Sequence, residues 1–267
     1  MPEGDTIYRT AATLRPAMEG ATIDRAQVRD RQFEPEHLAG VQITSVEARG
    51  KHLLMHLGHG GAIHSHMGMT GSWHIYRRSE PWQKPVHYAG LQLELSQTPV
   101  GDLDVVCFSP KQLELLTADQ LRRHVDLSNL GPDLLTPSFD VPAAVARFRT
   151  HNPLPLGEAV MDQTIVSGIG NVYKSDILFL VGFDPFAPVE KFSDDELAGM
   201  IEKARRLMGK NLTGAPRQTR FRGDGHRLWA YGRSGEACFK CGAIIQLRRQ
   251  GEAGRTTCWC PVCQPER

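Results

Sequence analysis

Pro2 and Glu3 are adjacent residues whose types suit covalent chemistry. With Met1 removed, Pro2 offers a secondary amine, and an α-amine has an unperturbed pKa of about 8. Such an amine attacks an aldehyde-like carbon and forms an iminium without a prior base. The Glu3 carboxyl beside it can protonate a leaving or ring oxygen. Met1-Pro2-Glu3-Gly4-Asp5-Thr6 would equally suit the plain entry to a helix, so more distant segments must decide between the two.

The cysteines give the sharpest local signal. Five of the six fall between 238 and 263, and four make two C-x2-C pairs: Cys238 with Cys241, and Cys260 with Cys263. Four thiolates at that spacing predict one tetrahedral, structural zinc ion on a β-hairpin. Cys258 is surplus to that set. Arg255, just before the second pair, is placed to reach a nucleic-acid backbone.

The elements that must position Pro2 begin with an amphipathic helix predicted over residues 5–18. Ile7, Ala11, Leu14 and Met18 form its apolar stripe, with Asp5 or Thr6 as cap and Gly20 as stop. From 21 to about 127 the pattern is strand-like, in runs such as Val41–Val46, Lys51–Leu57, Ala62–Met67, Gly90–Leu95 and Asp104–Phe108. With no long helical period between them, these runs predict an antiparallel sandwich or barrel. Arg49-Gly50-Lys51-His52 puts Lys51 at a strand start, where a loop could show it to a phosphate. Met67-Gly68-Met69-Thr70-Gly71 is a Gly-bracketed turn, and its Met69 is either buried or a wedge that enters a DNA stack. His52, His56, His64 and His66 lie in adjacent strands, but no acidic partner at ligand-like spacing accompanies them.

Leu130-Gly131-Pro132-Asp133 breaks the strand pattern. Beyond it the chain turns helical: a segment capped by Asp140, another over Leu156–Asp162, one from Asn171 to near Gly182, and a long one opened by a Ser193/Glu196 capping box. Two helices joined through the Gly-rich turn 163–171 would direct helix N-terminal amides at phosphate. Residues 217–233 then interleave Arg217, Arg220, Arg222, Arg227 and Arg233 with Phe221, Trp229 and Tyr231, a composition suited to phosphates and stacked bases.

The net charge of +1 conceals a division. Residues 202–267 hold 14 Lys and Arg against 5 Asp and Glu; the rest hold 17 against 25. A basic C-terminal part points to a polyanion, most simply nucleic acid. At 267 residues, two or more domains are expected. No early apolar stretch suits a signal peptide and no run of about 18 apolar residues could span a bilayer, so a soluble intracellular protein is expected.

Taken together, the stretches PEGDT (2–6), RGKHL (49–53), SHMGMTG (65–71), LGPDLL (130–135), MDQTIVSGIGNVYKSDILF (161–179) and the four-cysteine segment resemble the formamidopyrimidine-DNA glycosylase and endonuclease VIII family, nearly end to end. The resemblance implies an α+β architecture. A catalytic β-sandwich with its N-terminal helix would occupy 1–129, a linker 130–137, a helix–two-turn–helix domain 138–232, and a zinc-finger hairpin 233–267. It implies that Pro2 is the nucleophile toward sugar C1′, Glu3 the acid that opens the ring, and Lys51 a phosphate contact beside the lesion. Asn171 and Arg255 would grip phosphates, and Met69 would fill the gap left by a flipped base.

Two departures point to the endonuclease VIII-like branch. Ser109-Pro110-Lys111-Gln112-Leu113-Glu114 replaces the loop that supplies two further gap fillers in the purine-acting branch, and the 213–230 loop is short. Thr6 stands where the family commonly has a second Glu. The reading is a monomeric, cytoplasmic, nucleoid-associated glycosylase and AP lyase acting on double-stranded DNA with damaged bases or abasic sites, pyrimidines favoured. Its rivals are a non-catalytic damaged-DNA binder on the same scaffold and a histidine-metal hydrolase in the β domain.

Overall fold

Helix α1 (Gly4–Met18) forms because Ile7, Leu14 and Met18 share one face with Ala11, and all four are buried. It starts one residue before the predicted span. Glu3, not Asp5 or Thr6, takes the N-cap position, its carbonyl accepting from the Thr6 N–H at 2.9 Å and the Ile7 N–H at 3.1 Å. Asp5 lies buried inside the first turn instead. The computed structural model describes residues 2–29 and 34–267; Met1 lies outside them.

The chain divides into two compact units, Met1–Asn129 and Leu130–Arg267. In the first, β1 (Thr22–Val28), β5 (Ser72–Arg77), β6 (Ala89–Ser96) and β7 (Leu103–Phe108) make one antiparallel sheet in the order β1-β6-β7-β5. The second sheet runs β2-β3-β4-β8, from β2 (Ile43–Arg49), β3 (His52–Leu57), β4 (Ala62–His66) and β8 (Gln112–Leu116). Leu91, Leu93, Leu95 and Val105 of the first sheet share a core with Leu53, Met55, Leu57 and Ile63 of the second, and Ile7, Leu14 and Met18 of α1 join it. The result is a sandwich.

Two expectations fail in this unit. Strands do not continue to about 127, because α2 (Ala118–Arg123) and α3 (Val125–Ser128) intervene. The Thr117 side chain accepts from the Gln120 N–H while the Gln120 side chain accepts from the Thr117 N–H, a capping box that starts α2. The histidines also have an acidic partner. His64 pairs across the β4/β8 ladder with Glu114, fifty residues away in sequence, and its Nδ1 lies 2.7 Å from Glu114 Oε2.

The second unit packs α4 (Val141–Arg149), α5 (Leu156–Ala159), α6 (Asn171–Val181) and α7 (Asp194–Gly209) around one apolar core. The segment at 156 is shorter than predicted, a single turn. Helix α6 is buried on every side, its polar Lys174, Ser175 and Asp176 included; Gly182, left-handed at φ 75°, ends it. Ser193 and Glu196 form the expected capping box of α7. Antiparallel β9 (Gln246–Gln250) and β10 (Arg255–Trp259) form the final hairpin. No helix among the described residues is long and apolar enough to cross a membrane.

Candidate active site and nucleic-acid interface

In the first unit, Glu3 is fully buried, 0% exposed, at the head of α1, and Pro2 beside it is half-buried. Burial of Ile7 one turn on holds this end of the chain, where termini ordinarily fray. Helix α1 lies against β2 and β3, and Lys51 occupies the tight turn joining those two strands. Gly50, at φ 59°, makes that turn possible. Lys51 is near enough for its charge to contribute to holding His52 largely neutral; burial is the main cause, and the His52 pKa falls to about 3.

The two methionines of the Met67–Gly71 turn part ways. Met67 is in the sandwich core, whereas Met69 is 71% exposed at the tip. The Gly71 N–H closes the turn on Met67 O at 2.9 Å. An exposed thioether on a pinned turn is what an inserting wedge requires.

In the second unit the turn before α6 is built around one side chain. Gln163 Nε2 donates to Met161 O (2.7 Å) and Ile169 O (3.1 Å), and its Oε1 accepts from the Gly168 N–H (3.1 Å). Gly168 sits at φ 106°, closed to other residues. Gly131 runs so close to this turn that a Cβ there would lie 2.4 Å from Ile165 O, which explains a glycine in the LGPDLL stretch. Asn171, the first residue of α6, is therefore fixed where N–H groups and helix dipole favour an anion. Its Nδ2 donates to Thr256 Oγ1 at 3.2 Å.

Arg255, exposed, opens β10 one residue from Thr256. Buried Lys174 reaches the same strand, donating to Thr256 O (3.2 Å) and Thr257 Oγ1 (2.8 Å). Sequence reasoning passed over Lys174, Thr256 and Gln163. It also passed over Asp176, a lone carboxylate in an apolar helical run, which was itself a signal of a buried polar centre. Asp176 accepts backbone N–H bonds from Trp229 (2.9 Å), Ala230 (2.8 Å) and Tyr231 (2.8 Å), and a hydroxyl bond from Thr219.

That centre corrects the reading of residues 217–233. Arg220 and Arg233 are buried and stack on one shared partner: both guanidinium groups lie over Phe239, at 4.1 Å and 3.4 Å, and Trp229 packs on Phe179. They hold the loop together. Phe221, Arg222 and Arg227 are the exposed members.

The four cysteines converge as their spacing predicts. Cys238 Sγ lies 3.8 Å from Cys263 Sγ, Cys241 Sγ lies 3.4 Å from Cys260 Sγ, and all four are within 4.8 Å of one another. Bonds of about 2.3 Å to a central ion would set sulfurs about 3.8 Å apart, so this cluster can hold a metal ion. The Lys240 and Cys263 N–H groups point at Cys238 and Cys260 Sγ, as thiolate ligands need. Cys258 is no part of this set; it is buried with Phe179, Ala230 and Ile245.

Comparison with known proteins agrees with this architecture. Residues 1–120 match the formamidopyrimidine-DNA glycosylase N-terminal domain, and residues 130–221 match its H2TH domain. The Mycolicibacterium smegmatis protein named DNA-(apurinic or apyrimidinic site) lyase Nei2 is 37% identical over 271 residues, spanning 99% of each chain. The Pseudomonas paraeruginosa formamidopyrimidine-DNA glycosylase is 30% identical, over 99% of this chain and 100% of its own. The Lactococcus lactis formamidopyrimidine-DNA glycosylase, solved with abasic-site DNA, superposes with a TM-score of 0.81 at 23% identity, covering 99% of this chain and 100% of that one, which shows a shared fold. With both domains matched and a relative at 37% identity along the whole chain, this protein belongs to the formamidopyrimidine-DNA glycosylase and endonuclease VIII family.

Proposed function

We propose that this protein is a bifunctional DNA glycosylase and AP lyase of base excision repair, with Pro2 as nucleophile. The observation that carries the reading is the fully buried Glu3 carboxyl beside Pro2, both held at the head of a core-anchored helix. The Pro2 amine attacks sugar C1′ as the damaged base leaves, and Glu3 protonates the ring oxygen so that the sugar opens to an iminium. The iminium acidifies the adjacent C–H, so β- and then δ-elimination cut the strand on either side of the sugar. Covalent catalysis divides one hard displacement into easier steps. Extruding the base costs a few kcal/mol, least for a weakly paired lesion, and Met69 fills the space it leaves.

Lys51, Asn171 and Arg255 are assigned to phosphates, and the cysteines to one structural zinc ion that shapes the hairpin carrying Arg255. The substrate class is oxidised pyrimidines and abasic sites ahead of 8-oxoguanine. In support, the Thr219 and Arg220 N–H groups both close on Arg227 O at 2.9 Å, which leaves only a short exposed tip between them. The Ser109–Lys111 turn is likewise tied down, to Tyr88 O and His66 O at 2.8 Å each. A DNA-repair enzyme of this kind works in the cytoplasm, on the nucleoid.

The test is borohydride trapping on an abasic-site duplex, with the adduct mapped by mass spectrometry. A protein–DNA adduct on Pro2, lost when one extra N-terminal residue blocks the amine, is the expected result. Trapping that persists in the blocked protein and maps to Lys51 overturns Pro2 as nucleophile, and tight lesion binding with no adduct at all would mark a non-catalytic binder. Glu3→Gln should slow base release more than cleavage of a preformed abasic site, because ring opening there needs less acid help.

A further inference from the structure

The face of β3, β4 and β8 turned away from the sandwich core carries a side-chain cluster that the lesion chemistry leaves unused. His64, with a fully buried side chain, points Nδ1 at Glu114 Oε2 (2.7 Å) and Nε2 at His52 Nδ1 (2.8 Å). His124, at the junction of α2 and α3, brings its Nε2 to 3.0 Å from the same Glu114 oxygen. We propose that His64, Glu114 and His124 form a second metal site, distinct from the cysteine cluster, that takes a late first-row divalent cation, zinc foremost.

The donor set selects the ion. Two imidazoles and one carboxylate suit zinc, cobalt or nickel, whereas magnesium and calcium favour oxygen-only shells. One ligand atom from each residue lies within 4.8 Å of the other two, so a single ion reaches all three. Bonds of about 2.0–2.2 Å place ligand atoms about 3.3–3.6 Å apart, so the present spacings of 2.7 and 3.0 Å need open by less than about one ångström.

Two further features fit an ion. His52 engages the far nitrogen of His64, the outer-shell contact that fixes which ring nitrogen faces a metal. Glu114 is partly exposed, which leaves an entry path and room for a water ligand. The segment that carries His124 has few other anchors. Helix α2 buries no residue and α3 buries only Leu127, and helices of six and four residues do not stand unaided. An ion shared by β4, β8 and this segment would fasten it to the sheet.

Metal counting on the zinc-loaded, gel-filtered full chain tests the proposal. Two zinc ions per chain are expected for the parent, one for His124→Ala and one for Cys238→Ser. Cobalt substitution separates the sites: thiolate charge-transfer bands should be lost or weakened in Cys238→Ser and kept in His124→Ala, whereas the ligand-field bands, to which both sites contribute, should lose only part of their intensity in His124→Ala. Glu114→Gln, close to isosteric, should behave as His124→Ala and covers a failure of that variant to fold. A parent chain that saturates at one ion with a purely thiolate spectrum overturns the second site. Two ions retained in both His124→Ala and Glu114→Gln overturn the ligand assignment.

Discussion

Asn171 donates its side-chain amide to Thr256 Oγ1, so the residue that opens α6 is tied to the strand that begins with Arg255. The phosphate contacts proposed for Asn171, on the helix, and Arg255, on the hairpin, would thus be held in one frame. Thr256→Val removes the hydroxyl and keeps the shape. Loss of one neutral hydrogen bond is worth about 1 kcal/mol, so binding to an abasic-analogue duplex should weaken about fivefold. Fluorescence anisotropy, with metal content measured alongside, checks this; the metal should stay.

Arg255→Ala should weaken binding evenly across DNA sequences. One fewer phosphate contact lowers the slope of log affinity against log salt by about 1. Anisotropy titrations at several salt concentrations read that slope. A sequence-selective loss would instead mean that Arg255 touches base edges.

Removal of the metal should be countable in thiols. Cys107 and Cys258 are buried, and burial pushes the Cys107 thiol far up, so neither offers thiolate at neutral pH. A thiol reagent should find almost no reactive cysteine in the native metal-bound chain, and four after chelation. Lesion binding should fall as those four appear. Six fast thiols after chelation would mean that the metal holds up more than the hairpin.

Asp176→Asn should destabilise the second unit by about 3 kcal/mol. Asp176 Oδ1 accepts from Ala230 and Tyr231, and Oδ2 accepts from Trp229 and Thr219. An Asn amide nitrogen cannot accept, so two donors lose their partner, each at a cost of about 1–3 kcal/mol. Denaturant unfolding followed by tryptophan fluorescence would show the lowered midpoint.

Local chemistry made much of this fold readable in advance. A capping box spans four residues, a left-handed glycine ends its own helix, and two C-x2-C pairs announce a hairpin, so Ser193 with Glu196, Gly182 and the cysteines could be placed from sequence. Pairings across long separations could not. Glu114 meets His64 only because β8 lies beside β4, and Asp176 meets Trp229 only when residues 217–233 fold over α6. Arginines alternating with aromatics read alike whether they face DNA or, as with Arg220 and Arg233, stack on Phe239 inside the protein.

The way the final hairpin is keyed into the second unit bears on how such a protein can change over evolution. Gln250 Nε2 donates to Pro185 O and Gln264 Nε2 to Phe183 O, each at 2.8 Å, while Thr257 Oγ1 donates to Gln250 Oε1 and accepts from Lys174. Gly157 passes so near Gln250 that a Cβ would lie 2.5 Å from its Oε1. Loss of the hairpin would take two acceptors from the buried Lys174 ammonium and uncover Phe179. The hairpin is therefore not a cassette that recombination could trade between unrelated proteins. Its inheritance is bound to that of α6, and a lineage that gave up the cysteines would have to rebuild the packing from within.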